Sequence, residues 1–162
     1  MKKIPKSVKE HISNAHYYLK AANKFPSPTF DAVRISLLLT ARENIKIAEE
    51  ELHAWAQGSK PAKDLYKSHA YKLRDVRDSY SIDRIILGKP GTKAKTITYK
   101  SGKDFEKLYQ ICRYGLRGDS KQLDLIFKRG WNSDAFERAL ISKIKWEEAA
   151  IGMYENLPGY KK

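Results

Sequence analysis

His69 and Lys72 stand three residues apart in SHAYKL, so on a helix they share one face. Histidine is the side chain whose ordinary pKa lies nearest neutral pH, which suits a general acid or base. Lys72 beside it suits a phosphate ligand or charge stabiliser. The competing reading is a core histidine bonded to a neighbouring carboxylate, with Glu43 as the candidate. Glu43 falls beside Leu39 and Ile47, off the main apolar stripe of its own stretch. If that face is covered, Glu43 needs a cation or a histidine, and it would orient His69. Arg42 is either an anion-binding residue or a surface arginine tied to Glu49 or Glu50 by helical spacing. Arg113 and Arg117, four apart in ICRYGLRGD, could clamp a phosphate while Tyr114 stacks a base. Against that stands an exposed basic face with Tyr114 in the core.

Other chemistries find little support. His11 and His16 are five apart, which splays them around a helix, so no metal site is expected. Cys112 has no histidine near it in sequence and reads as a small core residue. There is no P-loop, no GxGxxG and no nucleophile elbow, so no cofactor is implied. The run Glu49–Glu50–Glu51 reads most simply as a solvated face.

The net charge of +13, from 32 Lys and Arg against 19 Asp and Glu, would draw polyanions, RNA or other nucleic acid first. The charge is uneven. Between Asp83 and Asp104 no acid occurs, while Arg84, Lys89, Lys93, Lys95, Lys100 and Lys103 do. Plain solubility explains the same composition. A single cysteine excludes an internal disulfide framework. No apolar run approaches the roughly 20 residues that span a bilayer, and the basic N-terminus lacks an apolar signal core. A cytoplasmic protein with no membrane partner is expected.

The elements that must position these groups are helices. At 162 residues one domain is expected. Val8, Ile12, Ala15, Leu19 and Ala22 make one stripe and predict a first helix over Pro5–Asn23. Ser27 and Pro28 suit the start of a second, which runs to about Gln57. Its stripe of Phe30, Val33, Leu37, Ala41, Ile45, Ala48, Leu52 and Trp55 is widened by Leu38, Leu39 and Ile47, as expected of a central helix. Gly58 stops it, and the short GSKP link favours an antiparallel third helix over Ala62–Leu87. Residues 88–101 form a basic loop in which TITY, although strand-like in composition, has no evident partner. A fourth helix over Ser101–Leu116 opens on a capping-box-like Ser101 and Asp104. A short one over Ser120–Lys128 and a last over Asp134–Asn156 follow, with a tail at 158–162. The reading is all-α: a single-domain, up-down bundle of five to six helices.

With those pieces in place, the chain resembles the HEPN superfamily of small helical bundles, and within it the AbiV-type abortive-infection branch. ARENIKIA, Ala41–Ala48, is similar to that branch's A-x-E-E-x-G-K-A signature and keeps Ala41, Glu43 and Ala48. Asn44 and Ile47 stand where the second acid and the lysine would be. His69, Lys72 and Leu73 match its H-x-x-K-L element, and CRYGLRGD loosely echoes a later Arg-x-x-x-Tyr helix. The resemblance covers about Val8 to Asp119. It implies a HEPN-like fold, a homodimer, phage-defence or RNA-directed biology and, as in many HEPN members, metal-independent RNA cleavage. It also leaves room for a protein partner. That cleavage normally rests on an Arg-x4–6-His motif, which is absent. Lys63 precedes His69 at the right separation but lacks the planar fork of arginine. A non-catalytic module that binds nucleic acid or protein is the alternative.

Overall fold

The computed structural model describes residues 3–25, 31–73, 84–87, 95–98, 106, 109–110, 112–113 and 133–157. They are mostly helical. The long helices are α1 (Lys6–Ala22), α2 (Asp31–Ala56) and, after a short α3 (His69–Leu73), α4 (Ser133–Glu155). Among the described residues no helix is long and apolar enough to cross a membrane.

Side-chain pairs between helices set their directions. Ser7 meets Glu51 and His11 meets Asn44, so α1 and α2 run antiparallel. Lys9 meets Glu155 and His16 meets Glu148, so α1 and α4 are antiparallel too. Arg34 meets Glu137 and Lys143 meets Glu49, which makes α2 and α4 parallel. The expected stripe of α1, Val8, Ile12, Ala15, Leu19 and Ala22, is wholly buried. α2 is covered on several sides. Ile35, Leu38, Leu39, Ala41, Ile45 and Ala48 are fully buried, and Arg42, Glu43, Lys46 and Glu51 are buried among them. It is the central helix its wide apolar arc predicts, although Val33 on the expected stripe is exposed.

α2 stops as its sequence requires. Gly58 takes a φ of +65°, the Ser59 N–H reaches the Ala54 carbonyl at 2.8 Å, and the Gly58 N–H reaches that of Trp55 at 3.1 Å. This pair of bonds is a Schellman cap, and glycine tolerates the left-handed residue at its centre.

The third helix departs from expectation. A single 3-10 turn forms at Lys63–Leu65, and the chain leaves the helix at Tyr66–Ser68. Ser68 then restarts it: its hydroxyl accepts the Tyr71 N–H at 3.1 Å, a side-chain cap. Residues 84–87, expected in that same helix, form strand β1 (Arg84–Leu87) instead. Its antiparallel partner is β2 (Lys95–Thr98), with Ile85 opposite Ile97 and Ile86 opposite Thr96. Consecutive β-branched residues favour this pairing. Thr96–Thr98, expected to be irregular, therefore pair with β1.

α4 agrees with expectation to within a residue at each end. Residues 106, 109–110 and 112–113, within the fourth expected helix, are helical, and Tyr109 and Cys112 join the core. The expected helix over 120–128, most of the loop at 88–101 and the tail at 158–162 lie outside the described residues.

Candidate functional site

Three elements bring polar side chains to one place. Glu43 projects from the middle of α2, His69 opens α3, and Tyr109 and Arg113 come from the helical residues 106, 109–110 and 112–113. His69 Nδ1 is hydrogen-bonded to Glu43 Oε1. Lys72, one turn along α3, sets its Nζ 3.6 Å from the other oxygen, Oε2. The spacing of His69 and Lys72 thus works as the shared-face argument requires: both residues reach one carboxylate.

Exposure differs sharply within this trio. The side chains of Glu43 and Lys72 are 7% and 10% exposed, whereas that of His69 is 36% exposed. A carboxylate and an ammonium so far from water are held by mutual attraction, because either alone would carry a large desolvation cost. With Nδ1 engaged by Glu43, Nε2 is the ring nitrogen left to exchange a proton with a ligand.

The opposite wall is aromatic and cationic. The Tyr109 ring lies 5.3 Å from the His69 ring, tilted by 42°. Arg113 Nη1 donates to the Tyr109 hydroxyl at 2.9 Å, and its guanidinium carbon stands 5.6 Å from the ring centre. Thr40 Oγ1 is 3.2 Å from the same hydroxyl and donates to the Ser36 carbonyl at 2.9 Å. With that proton committed, Tyr109 must be the donor to Thr40 while it accepts from Arg113. A directed chain therefore runs from Arg113 through Tyr109 to Thr40 and fixes the ring beside His69. Lys72 and Arg113 thus bring two cationic side chains to the neighbourhood of Glu43 and His69.

Tyr109 and Thr40 were not among the expected site residues. The available signal was the spacing of Tyr109 and Arg113, four apart and so neighbours on a helix. Tyr114 and Arg117, expected beside Arg113, lie outside the described residues, as do Lys89, Lys93, Lys100 and Lys103. Lys95 opens β2 opposite Leu87.

Arg42 requires a correction. It is 2% exposed, in the core, and not on a face that nucleic acid reaches. Its positive charge acts on Glu49 and Glu147, pulling both carboxyls downward. Burial pushes Glu49 up, but the Lys143 bond and the charges of Lys46, Lys143 and Arg42 outweigh it, leaving the carboxyl below its ordinary value. Glu147 goes the other way, raised by burial and by the Glu49 charge against the pull of Lys143 and Arg42. The acidic run Glu49–Glu51 is likewise no solvated face. Glu50 pairs with Lys46 at 3.0 Å, Glu49 pairs with Lys143 at 3.0 Å, and Glu51 is buried.

Among the described residues no group of three or more histidine, cysteine, aspartate or glutamate side chains could hold a metal ion. Comparison with protein-family models, with curated proteins and with solved structures found no match to this chain.

Proposed function

We propose that this chain is a HEPN/AbiV-like helical protein of phage-defence or RNA-directed type, acting as a cytoplasmic homodimer, and that His69 is the acid/base group of a metal-independent ribonuclease. The observation that carries the reading is the imidazole with one nitrogen on a buried carboxylate and the side chain partly open to solvent. Glu43 orients the ring. Neutral His69 takes the proton of a ribose 2′-hydroxyl. The 2′ oxygen attacks the adjacent phosphorus, and the 5′ oxygen leaves with a proton from solvent. The products are a 2′,3′-cyclic phosphate and a free 5′-hydroxyl. Arg113, beside Tyr109, attracts the phosphate and offsets charge that builds on its oxygens. Purified protein is expected to cleave RNA in the presence of a chelator, and His69→Ala to abolish this. Cleavage that survives the substitution removes His69 from the mechanism.

A second reading is favoured by the near-complete burial of Glu43 and Lys72. In it the trio specifies packing, and the chain is a non-catalytic module for nucleic acid or a protein partner. His69→Ala then lowers stability and leaves binding intact.

A further inference from the structure

Some eight residues along α2 from Glu43, about 12 Å at the helical rise, a second carboxylate sits in a different setting. Glu51 is 7% exposed. Ser7 donates to its Oε2 at 2.6 Å, and the Tyr66 hydroxyl donates to Oε1. Both donors are neutral. The chain carries 32 lysines and arginines, yet among the described residues none forms an ion pair with Glu51. This contrasts with Glu43, Glu49, Glu137 and Glu147, each of which holds a cation.

Glu51 lines a surface cavity of about 280 Å³ between the N-terminus of α1, the end of α2 and the 3-10 turn. Its walls carry Trp55, Tyr66, Pro5 and Pro61, and among the described residues no lysine, arginine or histidine lines it. Trp55 is braced edge-to-face by Tyr154, with ring centres 5.3 Å apart, so this wall is preset. A carboxylate offers about four lone-pair sites, and two hydroxyls leave room for further N–H donors. Aromatic faces add attraction for a cation.

We propose that this cavity is a binding site for a small alkylammonium ion, held by its N–H groups on Glu51 and by its alkyl part against Trp55 and Tyr66. A buried carboxylate that, among the described residues, is met only by neutral hydroxyls is what calls for a cation. The positive charge of the chain works against such a ligand at long range, but it is screened beyond about 8 Å at physiological salt. The contact with Glu51 is not.

The test uses the whole chain and n-butylammonium chloride as probe, read by the indole N–H resonance of Trp55, assigned with Trp55→Phe. The expected result is a saturable shift with a millimolar dissociation constant, about tenfold weaker or more in Glu51→Gln. Tetramethylammonium, which has no N–H, should bind less well. Absence of a saturable shift, equal binding by Glu51→Gln, or equal binding of tetramethylammonium overturns the proposal. Should Glu51→Gln fail to fold, two measurements decide. Tyr66→Phe removes a hydroxyl donor but keeps the carboxylate, so it should bind butylammonium at least as tightly. In the unaltered chain, binding should vanish on acidification in step with the Glu51 carboxyl resonance. Loss of binding in Tyr66→Phe, or binding that persists after Glu51 is protonated, refutes the assignment. None of these readouts depends on RNA cleavage.

Discussion

Removing the Glu43 carboxylate should unbalance the core far more than removing the His69 imidazole. In Glu43→Ala the Lys72 ammonium keeps its place, 10% exposed, and loses the oxygen 3.6 Å away. Breaking a buried pair from one side costs about 3–5 kcal/mol, because an uncompensated charge stays behind. Total stabilities of about 5–15 kcal/mol make that a large fraction. At about 2–4 °C per kcal/mol for a chain of this size, the melting temperature should fall by roughly 6–20 °C. His69 is 36% exposed, and its loss leaves Glu43 paired with Lys72. The cost of His69→Ala should therefore be about 1–2 kcal/mol, near the lower end for a hydrogen bond to a charged group. Adding Lys72→Met to Glu43→Leu removes both charges and fills their space, and should recover most of the loss. Denaturant unfolding of Glu43→Leu, Lys72→Met and their double variant gives the coupling energy, expected at about 2 kcal/mol or more. Additive costs in the double variant, or a Glu43→Ala penalty below about 1 kcal/mol, would refute the buried pairing.

Further outcomes are open to measurement. Leu38 and Leu39 are fully buried on α2, so either leucine-to-alanine change should cost about 2–5 kcal/mol in denaturant unfolding. Burial, the Glu51 hydrogen bond and the Glu51 charge push the Tyr66 phenol up from its ordinary value of 10.0 to about 12. The neutral phenol is thus favoured in the folded chain, so its contribution to stability is complete below about pH 10 and is lost as the pH rises through about 12. Tyrosine ring-carbon resonances should show this titration, and Glu51→Gln should bring it downward. The lowered Glu49 carboxyl has the opposite sign: its contribution is present above the ordinary carboxylate value and is lost as the pH falls through its depressed one. Lys143→Met removes a partner that holds Glu49 down, so the midpoint of acid unfolding should move to higher pH. If the basic segment contacts nucleic acid, neutralising Lys89, Lys93, Lys95, Lys100 and Lys103 should flatten the dependence of log affinity on log salt. An unchanged slope would point to another surface.

The periodicity of apolar residues was enough to place α1, α2 and α4. A long helix that must bury one face shows that face as a repeat, and Val8, Ile12, Ala15, Leu19 and Ala22 do so without help from any neighbour. The same holds for the stop at Gly58, whose left-handed backbone is a local demand. Local signals failed at residues 66–68, 84–87 and 95–98. Leu65, His69 and Leu73 fit a helical stripe, but Ser68 restarts the chain, and Ile85–Ile86 suits either period until a partner strand is known.

Among distant pairings only that of His69 with Glu43 was legible as a candidate, and the structure forms it. The types and spacing of His69, Lys72 and Glu43 marked them as a candidate group, since a polar side chain within an apolar stripe needs a partner. Which partner it takes depends on how α2 and α3 cross, and only tertiary packing decides that. Packing also put Tyr109 against His69, buried Arg42 within reach of Glu49 and Glu147, and left Glu51 facing a cavity that no cation among the described residues lines. The physical reason is common to all of these. Helical order arises within the span of a few residues, whereas the environment of a charge is set by whatever the fold brings up to it from elsewhere in the chain.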